Sequence, residues 1–159
     1  MILALDFDGV LHPRSTHNEP VFCRLPLLEQ WMRANQHVDV IISSSWREVH
    51  PLDEMKSYFS GDLQHRILGT TPISDRLLGR RWVRTPSELA ASKFERQYEI
   101  EAWMKGTANP GRKWVALDDE ARLFEPGCQN LVLCNHETGL SSASLAELSQ
   151  KIRIKRQSS

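Results

Sequence analysis

Two kinds of apolar pattern alternate along the chain. Short, nearly continuous apolar runs occupy residues 2–6, 38–43, 65–72, 113–119 and 130–135. Each is bounded by turn or polar residues and reads as a buried strand. Between them the apolar positions fall at helical spacing. Leu27, Leu28 and Trp31 mark a helix over 26–35, and Leu52, Met55 and Phe59 mark one that starts at Pro51 and ends before Gly61. Thr85-Pro86-Ser87-Glu88 is a capping box with proline at the first helical position, and it opens a helix that runs to Lys105, either unbroken or with one break, and stops at Gly106. Residues 73–84 read as a loop carrying Arg76, Arg80, Arg81 and Arg84, and Asn109-Pro110-Gly111 as a turn. A last helix starts at Ser144 with Leu145, Leu148 and Ile152 on one face, and the basic tail after it is expected to fray. Strands that alternate with helices predict an α/β fold, a doubly wound parallel sheet with helices on both faces.

Composition narrows the picture. With 159 residues, 40% hydrophobic and 25% charged, the chain fits one globular domain, taken as residues 1–154 with a basic tail at 155–159. Lys+Arg and Asp+Glu are 20 each, so net charge argues against a dedicated polyanion binder while leaving local patches open. The three cysteines include no C-x-x-C, which disfavours a disulfide framework or a zinc site and suits a reducing compartment. No apolar run approaches the roughly 20 residues of a membrane span. The expectation is a cytoplasmic protein with no membrane partner.

The chemistry concentrates where strands end. Asp6 and Asp8 close the first strand and, two apart in extended chain, point to the same side. Such carboxylates repel each other unless neutralised, and a hard divalent cation with oxygen ligands, Mg2+ above all, does this. Gly9 lets the chain turn; Asp-Gly is also a common turn pair. Asp118 and Asp119 end the fourth strand in the same way, although acids also gather at helix N-termini. The two acid-ended strands together predict a metal site with Asp6 and Asp118 as direct ligands.

Ser43 and Ser44 end the second strand, where hydroxyls can donate to a phosphate oxygen. Arg47 can hold a phosphate or a base, or lie on the surface, and Trp46 is expected to pack. Leu89, Lys93, Arg96, Ile100 and Trp103 share one helical face, which places two cations on a stripe that otherwise meets the core. A buried cation needs an anionic partner, and the acids with a phosphate would supply it; a snorkelling side chain is the alternative.

With these residues in place, the chain resembles the haloacid dehalogenase-like (HAD) superfamily of phosphatases. Asp6-Phe7-Asp8-Gly9-Val10 looks like its first motif, the strand-end serine its second, Lys93 or Arg96 its third and Asp118-Asp119 its fourth. The strings DFDGVLHP, SSSWR, ILGTTP, RQYEIEAW, WVALDD and HETGLS are similar to the small HAD domains of Swiss-army-knife RNA-repair proteins. The resemblance implies Asp6 as nucleophile, Asp8 as general acid and base, and Mg2+ held by Asp6, the Asp8 main-chain carbonyl and Asp118, with Asp119 beside them. It implies Ser44 or Ser43 on the phosphoryl oxygens, and Arg96 or Lys93 on their charge. Asp8 must start protonated, which a crowded acid cluster would favour. Arg47 and His12 are substrate-contact candidates, although His12-Pro13 also suits a rigid turn.

Residues 10–38 and 71–85 are too short for a folded cap, so the resemblance is to a capless, Rossmannoid member. An open site suits a bulky phosphorylated substrate such as a nucleic-acid end; the alternative is a small metabolite or nucleotide in a site covered by an oligomer or a loop. The oligomeric state is left open. A receiver-like or a degenerate, binding-only module is the rival class, but a receiver carries its adjacent acid pair early in the chain.

Overall fold

The structure, a computed structural model, describes residues 1–15, 19–73, 93–106 and 111–157. The capping box at 85–88, the start of the helix it opens, the arginines at 76, 80, 81 and 84, and most of the 109–111 turn lie outside the described residues. Five parallel strands, β1 (Ile2–Leu5), β2 (Asp39–Ile42), β3 (Ile67–Thr70), β4 (Trp114–Asp118) and β5 (Leu131–Leu133), form one sheet in the order β3-β2-β1-β4-β5. Among the described residues four helices accompany them: α1 (Leu25–Ala34), α2 (Leu52–Ser57), α3 (Glu95–Gly106) and α4 (Ser142–Gln157).

Alternation along the central strands divides the core in two. Leu3, Leu5, Val40, Ile42, Val115 and Leu117 meet α1, α2 and α4 through Leu28, Met32, Met55, Leu145, Leu148 and Ile152. Ile2, Ala4, Ile41, Trp114 and Ala116 point the other way and meet Ile100 and Met104 of α3. Both faces of the sheet are therefore covered, which is why its strands read as continuous apolar runs. Among the described residues, no segment forms a separate cap, and no helix is long and apolar enough to cross a membrane.

Several boundaries differ from expectation: α1 is shifted by one residue to Leu25–Ala34, and α4 begins at Ser142, two residues before Ser144. Pro51 stands before α2 in extended backbone, with ψ 153°, so the helix begins at Leu52. The basic tail does not fray at Lys155: α4 runs on to Gln157, anchored by Lys113, whose Nζ donates to the Lys155 carbonyl at 2.8 Å, and by Lys155 on Asn130.

The strand order sets the position of the site. The chain winds outward from β1 through β2 to β3, then returns to the other side of β1 for β4. Adjacent loops therefore diverge between β1 and β4, and the crevice outside their carboxyl ends is the switch point where such sheets bind ligands.

Candidate active site

Register brings four strand ends level. Leu5 pairs with both Ile42 and Leu117, and Ile42 pairs with Thr70. The next residue on each strand is Asp6, Ser43, Asp118 or Thr71. Backbone bonds extend the ladder to this row: Ser43 donates to Leu5 at 2.9 Å, Asp6 to Leu117 at 3.0 Å and Thr71 to Ile42 at 2.9 Å. By strand alternation all four share the face covered by α3.

One ligand oxygen from each of Asp6, Asp118 and Asp119 can be chosen so that all lie within 4.8 Å of one another. Arg96, buried on α3, reaches into this cluster, with Nη1 3.5 Å from Asp6 Oδ1 and 3.3 Å from Asp118 Oδ2. Lys93 lies outside α3, before a bend at Phe94, and is exposed over the Phe94 ring at 5.4 Å. The predicted stripe is thus interrupted before Glu95, and α3 brings Arg96 to the cluster.

Arg14 holds Asp119 from the solvent side, donating to Oδ1 at 2.9 Å with Oδ2 2.8 Å away, and lies 3.4 Å from Glu120. Burial, and then the charge of Asp6, pushes the Asp118 carboxyl up to about 7, and burial also raises Asp119. Asp118-Asp119-Glu120 leads into a single turn of 3-10 helix, Ala121–Leu123, rather than the start of a long helix.

Gly9 explains how Asp119 comes so close. Its φ is +68°, and a Cβ there would lie 2.0 Å from Asp119 Oδ2. The turn glycine thus admits the second acid pair against the first.

Asp8 departs from expectation. Its carboxylate lies outside the cluster, held by His12, Nε2 to Oδ1 at 3.0 Å, and by Trp46, whose Nε1–H donates to Oδ2 at 2.9 Å. The His12 hydrogen bond first, with that of Trp46 behind it, outweighs burial and holds the Asp8 carboxyl below the usual carboxylate range. The crowding expected to raise it falls on Asp118 and Asp119 instead. His12 is accordingly no open substrate contact: it is 1% exposed and faces inward to Asp8.

Arg47 is no free phosphate or base contact either. Its guanidinium donates to the carbonyls of Ser43 and Ser44 at 2.7 Å each, to that of Thr71 at 3.2 Å and to Glu99 at 2.5 Å. Both side chains of the Arg47–Glu99 pair are nearly inaccessible, so Arg47 ties the ends of β2 and β3 to α3. Of the two serines, Ser44 caps the following 3-10 turn, its Oγ accepting from Trp46 N at 3.4 Å. The hydroxyls of Ser43 and Thr71 are buried with no hydrogen-bond partner among the described residues.

Sequence reasoning missed Arg14, Thr71, Glu99 and the Asp8 contacts of His12 and Trp46. Only His12 carried a local signal, its spacing of four from Asp8. The HETGLS string is explained by its packing on the first motif. Leu140 N donates to Val10 O and Arg14 N to His136 O, each at 2.8 Å, and a Cβ on Gly139 would lie 2.9 Å from Val10 O.

The fold and site define a doubly wound α/β domain with an acid cluster and a buttressing arginine at its switch point. The chain belongs to the family described as the HAD domain in Swiss Army Knife RNA repair proteins, whose sequence model matches residues 2–145. Comparison with curated proteins and with solved structures finds no match.

Proposed function

We propose that this HAD domain is a Mg2+-dependent phosphate monoester hydrolase that works through an aspartyl-phosphate. The observation that carries the reading is the level row of Asp6, Asp118, Ser43 and Thr71, with Arg96 against both acids. The donor set suits a hard cation: it is all oxygen, and among the described residues Asp118 Oδ2 and Asp119 Oδ2 receive no hydrogen bond and meet only the guanidinium charges of Arg96 and Arg14. Asp6, Asp118 and Asp119, with the Asp8 main-chain carbonyl, would hold Mg2+, which supplies charge neutralisation at the phosphoryl oxygens.

Asp6 attacks phosphorus through a carboxylate oxygen while the bond to the ester oxygen breaks. The departing oxygen takes a proton from Asp8. Asp8 then accepts a proton from water, whose oxygen attacks phosphorus and breaks the bond to Asp6, releasing phosphate. In the free protein Asp8 favours its carboxylate form, as the base step requires. A phosphoryl anion brought beside it raises its pKa toward the acid form. Arg96 stabilises the negative charge of the transferring group, and Ser43 and Thr71 offer hydroxyls to its oxygens.

The site has no cap among the described residues, which favours a bulky phosphorylated substrate, a nucleic-acid end first. The test is a Mg2+ substrate screen of 3'- and 5'-phosphorylated oligonucleotides beside nucleotides and sugar phosphates, with Asp6→Asn as control. Turnover of oligonucleotide ends, abolished by Asp6→Asn, is expected. Preference for a small metabolite overturns the substrate class, full activity of Asp6→Asn overturns the mechanism, and a stable phospho-Asp6 without turnover makes the domain a receiver.

A further inference from the structure

Asp8 stands between two donors from different parts of the chain, and both are backed by a strained aromatic residue. We propose that His12 and Trp46, seated on the Phe22 ring, form a clamp that sets the orientation of the Asp8 carboxylate for proton transfer. The inference rests on the function proposed above and assigns it two positioning residues.

The Asp8 side chain is 40% exposed, so one side of it is open to a substrate while its orientation is fixed from behind. A carboxylate on an open loop would otherwise rotate among several rotamers. The donors reach different oxygens, Oδ1 from His12 and Oδ2 from Trp46, and together they define the carboxylate plane. Each oxygen has two lone-pair sites, so one on each remains for a substrate proton or water.

The His12 ring is fully enclosed, and its Nδ1 has no partner among the described residues. With Asp8 ionised, Nε2 carries the proton and donates it. A buried histidine left with an unpaired ring nitrogen is unfavourable for folding alone, which points to a use for its other nitrogen.

Phe22 supplies the second sign. It is the one non-glycine residue among those described with positive φ, at 62°, a backbone region that disfavours a bulky side chain. Its ring meets His12 edge-on at 5.4 Å and Phe7 at 5.4 Å, and lies 5.3 Å from Trp46 and 4.8 Å from Tyr58. These residues come from the loop after β1, the approach to α1, the turn after β2 and the end of α2. Backbone strain held in place by such packing marks functional positions, and here it fixes both donor rings.

The experiment measures kcat/KM of the Mg2+-loaded full chain on aryl phosphates of graded leaving-group acidity, phenyl phosphate against 2,4-dinitrophenyl phosphate. A poor leaving group needs the proton from Asp8 and a good one does not. Trp46→Phe keeps an aromatic ring and loses the donor; His12→Phe does the same for the histidine, and His12→Gln restores an N–H at similar reach. For Trp46→Phe and His12→Phe the dinitrophenyl-to-phenyl ratio is expected to rise about tenfold or more, against about a hundredfold for Asp8→Asn, with partial rescue in His12→Gln.

Equal losses on both substrates, or none, overturn the clamp. A ratio unchanged even in Asp8→Asn overturns the function on which it rests. Should His12→Phe fail to fold, Trp46→Phe and His12→Gln still decide. A readout independent of turnover comes from NMR of the metal-free protein. The Trp46 indole N–H resonance, picked from those of the five tryptophans by its loss in Trp46→Phe, should move upfield in Asp8→Ala. No movement overturns the clamp.

Discussion

Two carboxylates separated by one residue, Asp6 and Asp8, enter opposite surroundings. Asp6 joins Asp118, Asp119 and Arg96 under α3, whereas Asp8 turns to His12 and Trp46 on the aromatic side. In the first group, burial and like charge raise Asp118 to about 7. In the second, hydrogen bonds lower Asp8. The difference teaches that an acid pair need not act as one unit: Asp6 lies among residues from β4 and α3, while Asp8 is held apart by His12 and Trp46.

The largest effect should separate metal holding from proton transfer. Asp118→Asn is expected to lower turnover about 10³-fold or more and to abolish Mg2+ binding in calorimetry. Asp8→Asn should lower turnover about 10²- to 10⁴-fold while Mg2+ still binds, because the Asp8 side chain turns from the acid cluster to His12 and Trp46. Equal loss of Mg2+ binding in both would break the distinction.

Next is the link that holds the β2 and β3 ends to α3. Arg47→Met leaves Glu99 buried without that partner and should destabilise by about 3–5 kcal/mol, read from the urea midpoint. A loss of activity with unchanged stability would instead make Arg47 a substrate contact.

Gly9→Ala tests how tightly the two acid pairs are pressed together. The positive φ contributes about 1–2 kcal/mol of destabilisation, and the clash with Asp119 adds to it. Mg2+ should consequently raise the melting temperature of this variant less than that of the wild type, as thermal scans with and without the ion would show.

The smallest effect is the most direct contrast, measured as stability against pH in metal-free protein. The Asp8 pKa is lowered by folding, so its contribution is present above the unfolded value of about 3.9 and is lost as pH falls through the folded value. The Asp118 pKa is raised to about 7, so its contribution is present below the unfolded value and is lost as pH rises through about 7. Relative to wild type, Asp8→Asn should lose stability as pH rises from acid. Asp118→Asn should gain it between about pH 4 and 7. Slopes of the same sign would end the contrast.

Much of this was legible without coordinates. The apolar runs located the strands to within a residue or two because a sheet covered on both faces needs strands apolar throughout. Asp6 and Asp118 stood out because each ends such a run. Lys93 and Arg96 could not be separated, since helical period puts both on one stripe but does not show the bend at Phe94 that leaves Lys93 outside α3. Ser43 and Ser44 could not be separated either, because which of two neighbours faces α3 depends on where β2 stops.

By itself, then, the sequence determined the α/β order, the acid-ended strands and the family resemblance, all of which are local patterns or strings. Tertiary structure decided which groups meet. It placed Thr71 level with Ser43 through the register of β3, and closed Asp119 onto Gly9. It took Arg47 inward to Glu99 and turned Asp8 from the acid cluster to His12 and Trp46. These outcomes depend on contacts between residues up to 110 positions apart, as between Asp119 and Gly9. Hydrogen bonding and burial at such separations are set by packing, which no local period encodes.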